Sequence, residues 1–453
     1  MSFVIFGNTW AGGLQLPLIS AIPFALVLFL IATVPLFFKN FWELEKNKIL
    51  LMAFITVPTV FQLLFISEAT KGGSILALKH GLIDYFCFMS LIGSLYIVAS
   101  GITIRFNFQF SPLSNVIFLG IGAMLTNILG TTGASVLLFK PFSHANINRS
   151  HKVHLVLFFI FIIGNMGGLL TPLGDPPLFL GFLNGIDFFW TTSLWPQWFI
   201  SNIYLLLCFF LIDFYYSKKG LTVLLEKEKS QIKQVCISGK YSFAFLFVLI
   251  ILVLLQSPTI GKLVGGVFGK IIGVDDLTLD SFYAAFAQIF VAIVAFTVTP
   301  LKIRNENDFS IAPIVEVAIL FIAIFLTMIP ALEFLRQQSL AFPLHHPWQY
   351  FWITGGMSSV LDNAPTFMAF ASLAAGSEGI SILPLTKPVI LSAICCGAVF
   401  MGANTYIGNG PNFLIKALAE KDGIAMPSFF MYTFYALLVL LPLYLFLTFC
   451  FFV

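Results

Sequence analysis

Apolar residues run along this chain in stretches of about 20, separated by short polar gaps, from one end to the other. Ten stretches predict membrane-spanning helices, near 18–37, 49–67, 81–100, 153–182, 197–217, 241–256, 281–299, 312–335, 385–415 and 428–452. Two more, near 112–139 and 348–376, are interrupted midway, by LTNILGTTGAS in the first and LDNAPTFM in the second. Backbone that leaves the helix at membrane depth survives only where protein or a water-filled cavity satisfies its amides, so these two read as re-entrant hairpins that mark a site. The pattern predicts an all-α polytopic membrane protein with about ten transmembrane helices and two re-entrant hairpins.

Composition narrows the function classes. Only 9% of the 453 residues are charged and mean hydropathy is +0.98, so a soluble enzyme or a nucleic-acid binder is excluded. The chain is read as a non-enzyme whose surroundings are a lipid bilayer. If residues 1–17, which lack Lys and Arg, lie outside, most of the 23 basic residues fall inside. Only Lys71, Lys79, Lys262, Lys270, Arg336 and Lys387 stay outside. This arrangement opens the first hairpin to the cytoplasm and the second to the other side, with the N-terminus outside a bacterial-type inner (plasma) membrane. Residues 1–217 then form one half and 241–453 the other, joined by a basic cytoplasmic linker, 218–240. The first apolar run has no cleavage pattern and is expected to remain as a helix. The six cysteines form no CxxC and read as small hydrophobes. The six histidines fall in or beside predicted loops and read as surface residues.

An internal repeat links the halves. GDPPLFL at Gly174–Leu180 aligns with GNGPNFL at Gly408–Leu414, and the ungapped extension pairs Gly168 with Gly402 and Thr171 with Thr405. Asn127 and Asn363, in the two hairpins, lie at similar distances upstream and are taken as mates. Inverted-topology repeats that couple a hairpin to a broken helix are characteristic of secondary transporters, whose sites lie at the repeat interface.

Glycines and prolines in GNMGGLLTPLGDPP and GANTYIGNGP unwind their helices, freeing carbonyls and half-helix N-termini. Asn165, Thr171, Gly174 and Asp175 cluster at one break, and Asn404, Thr405 and Asn409 at the other. The hairpin tips add Asn127 and Thr131 on one side, and Asp362, Asn363 and Thr366 on the other. Carboxylate, amide, hydroxyl and carbonyl oxygens suit hard cations, so Asp175, Asp362, Asn127 and Asn363 are candidate sodium ligands and no transition-metal set is present. Carboxylates at bilayer depth are costly and mark function by default. At Asp175 and Asp362, proton and cation binding would compete. Asp84 and Glu316 are placed about a turn inside their helices and read as interfacial, snorkelling acids.

At these residues the chain resembles the ion transporter superfamily, which contains NhaD-type sodium/proton antiporters, the arsenite efflux membrane subunit, and divalent-anion and citrate symporters. The resemblance rests on the Asn127 and Asn363 hairpins, LDNAPT at 361–366, TPLGDPP at 171–177 and the segment beginning at Gly408. It implies a scaffold domain, a mobile transport domain, elevator-like alternating access and a homodimer. The symporter branch carries Ser-Asn-Thr at its hairpin tips, whereas the tips here read Thr126-Asn127-Ile128 and Asp362-Asn363-Ala364. Two readings follow: sodium/proton antiport, and cation-coupled uptake of citrate or another carboxylate. Two aspartates with no Arg or Lys at the breaks put antiport first, because they repel a multiply charged anion unless cations neutralise them. No nucleotide-binding loop of the GxxxxGK type occurs, so Na⁺ and H⁺ gradients are the expected drive and no cofactor is implied.

Overall fold

The computed structural model describes residues 16–220, 234–264 and 278–453, apart from positions 43, 68, 71, 308, 340 and 343. The first 15 residues and most of the basic linker, 221–233, lie outside the described residues, as do the candidate outer lysines Lys71 and Lys270.

Among the described residues nine helices are long and apolar enough to cross a membrane, or up to 11 if each of two bent pairs counts as one span. The chain is an all-α polytopic integral membrane protein. Three outer helices come first: α1 (Ile22–Phe37), α2 (Glu45–Phe65) and α3 (Gly73–Ala99). The first hairpin is α4 (Pro112–Ala145), and a broken helix follows as α5 (Val153–Ile162) and α6 (Pro176–Leu183). α7 (Trp195–Gly220) closes the first half. The second half begins with α8 (Lys240–Leu254), α9 (Ser281–Val298) and α10 (Ala312–Gln337). Its hairpin is α11 (Pro347–Ser358) with α12 (Asn363–Ala375). Its broken helix is α13 (Pro388–Met401) with α14 (Gly410–Lys421), and α15 (Phe429–Leu447) ends the chain.

Several boundaries differ from the hydropathy pattern. α3 starts at Gly73 rather than near 81, because Lys79 is exposed and leaves the helix continuous through a polar turn. α8 does not continue straight but turns by 104° into a short helix after Leu254. The linker region contributes a strand: β2 (Val235–Ser238) pairs antiparallel with β1 (Thr103–Phe106), matching Arg105 to Cys236. Charged and β-branched residues at a polar loop favour this ribbon, which apolar-run analysis does not register.

Helices α5 and α13 lead into the broken segments and form the centre of the molecule. His154 through Ile162 and Ala393 through Met401 are all buried, as expected for helices that are apolar on every side. Outer helices instead leave large side chains uncovered, among them Phe54, Phe61 and Phe290, suiting a lipid environment.

The 34-residue α4 folds back on itself. Gly130 adopts φ 74 and ψ 158, a conformation that costs little only for glycine, and breaks the helix at mid-length. Phe110 N donates to Ala145 O at 2.9 Å, so the two ends of the segment meet. Asn115 and Asn146 exchange amide hydrogen bonds at 3.0 and 2.8 Å across the same base. Asp213 of α7 anchors that base. Its buried carboxylate accepts from Asn115 Nδ2 at 2.9 Å and Arg149 Nη1 at 2.9 Å, with His154 Nε2 at 3.1 Å. His154 is therefore buried and paired, contrary to a surface reading, because α5 carries it beneath α7, where Tyr216 stacks on it at 5.0 Å.

Asp213→Ala would leave Arg149 without its counter-ion and the Asn115 amide with one acceptor fewer, and removal of one partner from a buried charged pair costs about 3–5 kcal/mol. We expect a clear drop in the melting temperature of the detergent-solubilised protein, measured by tryptophan fluorescence, with Asp213→Glu less affected. The sidedness expected from charge is tested separately. In a cysteine-free background, Phe189→Cys and Phe342→Cys should label from outside and Ile147→Cys only from inside. Labelling of position 147 by an impermeant external reagent would break the inverted arrangement.

Candidate functional site

The two broken helices repeat each other residue by residue. After α5, a 3₁₀ turn at Met166–Leu170 leads to Thr171 with φ −139 and ψ 155. After α13, a 3₁₀ turn at Gly402–Asn404 leads to Thr405 with φ −138 and ψ 166. The capping residues match as well: Asp175 before α6 has φ −148 and ψ 144, and Asn409 before α14 has φ −152 and ψ 137. Glycine is required where the chain crosses itself within each break. A Cβ on Gly174 would lie 2.1 Å from Gly168 O, and one on Gly408 would lie 2.6 Å from Gly402 O.

Each hairpin tip is tied to its own break by a matching threonine bond and by a second bond at the preceding residue, from a backbone amide in the first half and a side-chain amide in the second. Thr171 Oγ1 donates to Asn127 O at 2.5 Å, and Asn127 Oδ1 accepts from Leu170 N at 2.8 Å. In the second half Thr405 Oγ1 donates to Ser359 O at 2.6 Å, and Ser359 Oγ accepts from Asn404 Nδ2 at 2.8 Å. The mate of Asn127 is therefore Ser359, not Asn363. Asn363 begins the limb after the break, as Thr131 does after Gly130, so these two correspond. Equal spacing in sequence misled here because the first tip breaks after its asparagine and the second before it.

The halves meet at Asp175, which is 1% exposed. Its Oδ1 accepts from Thr131 Oγ1 at 2.8 Å and Asn409 Nδ2 at 3.3 Å, and its Oδ2 accepts from Asn363 Nδ2 at 2.5 Å. One carboxylate thus holds both hairpins and the opposite broken helix. All three donors are neutral, so hydrogen bonding satisfies the oxygens without cancelling the charge. Asn409 Nδ2 also reaches Gly164 O at 3.0 Å and Asn165 Oδ1 at 3.2 Å. Asn165 Nδ2 in turn donates to Asn412 Oδ1 at 2.7 Å, and Asn412 holds Gly402 O and Thr405 O at 2.8 and 2.9 Å. Asn363 Oδ1 is buried with no partner among the described residues and lies on the amide that grips Asp175.

Two adjoining cavities flank this hub. The first is lined by Thr131, Thr132, Gly174, Asp175 and Pro176, with Leu91 and Leu95 of α3 as its far wall. The second is lined by Thr132, Pro176, Asp362 and Asn409, with Tyr96 of α3 and Ile314 of α10 opposite. The N-termini of α6 and α14 therefore border the same space. Asp362 is only partly buried and caps α12 through Ala364 N at 3.3 Å. Thr366 Oγ1 donates back to Asp362 O at 2.8 Å.

All the residues singled out from sequence at the breaks and tips are gathered here: Asn127, Thr131, Asn165, Thr171, Gly174, Asp175, Asp362, Asn363, Thr366, Asn404, Thr405 and Asn409. Ser359 and Asn412 were missed. Extended to the hairpins, the alignment of the breaks sets Leu361 opposite Asn127 and so does not reach Ser359, and it sets Asn412 opposite Leu178, so neither residue carried a signal.

Of the two acids taken as interfacial, Glu316 stands about a turn inside α10, as expected, and only Asp84 departs from the expectation. Glu316 pairs with Lys48 at 2.7 Å and accepts from Trp42 Nε1 at 3.1 Å, so it is a salt-bridge partner between outer helices. Asp84 is buried about three turns inside α3, since the helix begins earlier than its apolar run.

Paired hairpins and paired broken helices around a buried acid, in an all-α membrane protein, are the architecture of a gradient-driven transporter. Residues 13–452 match the family described as "Putative citrate transport", and the chain belongs to that family. No curated protein matches it.

Replacing Asp175 with Asn would set an amide group against the amide of Asn363 or Asn409. We expect Asp175→Asn to lower tracer flux by at least about tenfold, equivalent to only about 1.4 kcal/mol, while the purified protein elutes as the parent does. Parental flux in this variant would reduce Asp175 to a structural cap.

Proposed function

We propose that this protein is a secondary transporter that carries citrate or a related carboxylate together with cations by alternating access between two inverted halves. Family membership supports the substrate class and reverses the order of the two readings drawn from sequence. The observation that carries the mechanism is the charge of the site. Two carboxylates, Asp175 and Asp362, face the adjoining cavities, and among the described residues no Lys, Arg or His lines either one. A bare multivalent carboxylate in that space would be repelled strongly at low dielectric. Cations or protons arriving with it remove the repulsion, which makes transport of the anion conditional on its co-ion.

The residues divide this work. Asp175, with the unpartnered Oδ1 of Asn363 beside it, offers hard oxygen ligands for a sodium-sized cation or a seat for a proton. Asn127 and Thr131 hold the first tip against that seat, and Ser359, Asn404 and Thr405 hold the second. The positive dipole ends of α6 and α14 face the substrate's carboxylates and act through their field, since Pro176, Pro177 and Pro411 carry no N–H and Leu178 N and Asn412 N already bond the capping carbonyls. Sodium/proton antiport remains the second reading, favoured by the same lack of basic side chains, since an exchanger of cations needs only the acids.

Proteoliposomes separate the two. Under an inward sodium or proton gradient, labelled citrate should accumulate, and the accumulation should collapse with the gradient. A protein that moves protons on addition of sodium with no citrate present, and takes up no citrate, would overturn this reading in favour of antiport.

A further inference from the structure

Asp84 lies outside the site described above, and its surroundings differ from those of the other buried acids. Along α3, Ala77, Asp84, Leu91 and Leu95 share one face, with Phe88 a turn beyond Asp84 on the same side. The ends of this stripe border two different spaces. Ala77 lines a crevice with Glu333, Arg336, Met368 and Ser372, while Leu91 and Leu95 line the cavity that holds Asp175. Between them Phe88 is completely buried. It stacks on Phe321 of α10 at 4.8 Å, with Phe179 of α6 at 6.4 Å. Phe88 thus stands on α3 between Asp84 and the residues that line the Asp175 cavity, against Phe179 of its wall.

Asp175 and Asp213 each accept several hydrogen bonds. Asp84 is only 8% exposed, yet none of the hydrogen bonds or ion pairs among the described residues includes its carboxylate. The titratable groups around it are engaged elsewhere or lie on its own helix. Glu333 and Arg336 of α10 pair with each other at 3.2 Å. Asp280 caps α9 through Phe282 N at 2.9 Å, and Cys87 Sγ donates to Ser281 O at 3.4 Å. His80 and Lys79 stand about one turn earlier on α3, His80 half-buried and Lys79 exposed. An ionised carboxylate without donors or a counter-ion is strongly disfavoured in such a place. A metal cation would need further ligands, and among the described residues no group of three or more His, Cys, Asp or Glu could hold one, whereas a proton needs none.

We propose that Asp84 is a second proton-binding site, on the helix that walls the Asp175 cavity, and that it carries a coupling proton. The carboxylate takes up one proton from the crevice at Ala77 to become a neutral carboxylic acid. It releases that proton toward Asp175 when α6 shifts along α3 and the Phe88–Phe179 contact parts. Proton binding at Asp84 is independent of the transported solute; the coupling role rests on the transport reading above.

Infrared difference spectroscopy of the purified full-length protein, titrated from alkaline to acid pH, tests the binding. A protonated-carboxyl band present in the parent should be missing in Asp84→Asn, retained in Asp175→Asn and shifted in Asp84→Glu. Identical carboxyl bands in the parent and Asp84→Asn would overturn the proposal. For coupling, the ratio of labelled citrate uptake at acid and alkaline pH should fall to near one in Asp84→Asn and keep its parental value in Asp84→Glu and Asp280→Asn. An unchanged ratio in Asp84→Asn would remove Asp84 from coupling. If the parent takes up no citrate at all, it is the transport reading that fails, and the infrared titration still decides whether Asp84 binds a proton.

Discussion

A helix broken at bilayer depth exposes amides and carbonyls that lipid cannot satisfy, and the structure of this protein is organised around meeting that demand. Four interruptions, two in hairpins and two in central helices, are brought together so that each satisfies another. Threonine hydroxyls of the broken helices bond the hairpin carbonyls, Asn127 and Ser359 return bonds to the breaks, and Asp175 draws three donors from both halves. None of these segments would hold its shape alone. The outer helices can be read as a wall around this polar centre, covered by apolar side chains on the lipid side.

The same arrangement gives the site its chemistry. A buried carboxylate surrounded by neutral donors is well placed geometrically but remains an uncompensated charge, so its environment favours whatever cation or proton can reach it. Because Asp175 is bonded to Asn363 and Asn409 of the other half, occupancy of its oxygens bears directly on how the halves fit together. A ligand can shift an equilibrium between two arrangements only through a difference in its interaction with them. Under the transport reading proposed above, the bonds across the repeat interface would supply such a difference.

The two hairpins are anchored by different means, although their tips are alike. At the first, Asp213, Arg149, His154 and the Asn115–Asn146 pair bind the base to α5 and α7, within its own half. At the second, the chain just after α12 is held by Arg336 of α10, whose Nε donates to Gly376 O at 3.1 Å, and Lys387 Nζ donates to Ala374 O at 2.7 Å. The first hairpin is thus fastened to the centre and the second also to an outer helix. Movement of the centre past the outer helices would leave the first set intact and strain the second.

Hydropathy alone determined that the chain is an all-α membrane protein with two interrupted segments, because the cost of exposing backbone to lipid leaves few alternatives to uninterrupted apolar helices. The Gly-Pro breaks and their alignment also pointed to the candidate site, and the dihedral angles of Thr171 and Thr405 and of Asp175 and Asn409 agree with that alignment. Other features depended on contacts between residues far apart in sequence. Asn363 is the counterpart of Thr131 rather than of Asn127, since equivalence in a hairpin is set by the position of the break and not by spacing. His154 is a buried partner of Asp213 because α7 covers it, a contact that no local pattern encodes. Asp84 looked interfacial while its helix was counted from its apolar run, and only the full length of α3, packed against its neighbours, places that acid in the interior. Local composition fixes which groups must be satisfied; which partners satisfy them is decided by tertiary packing.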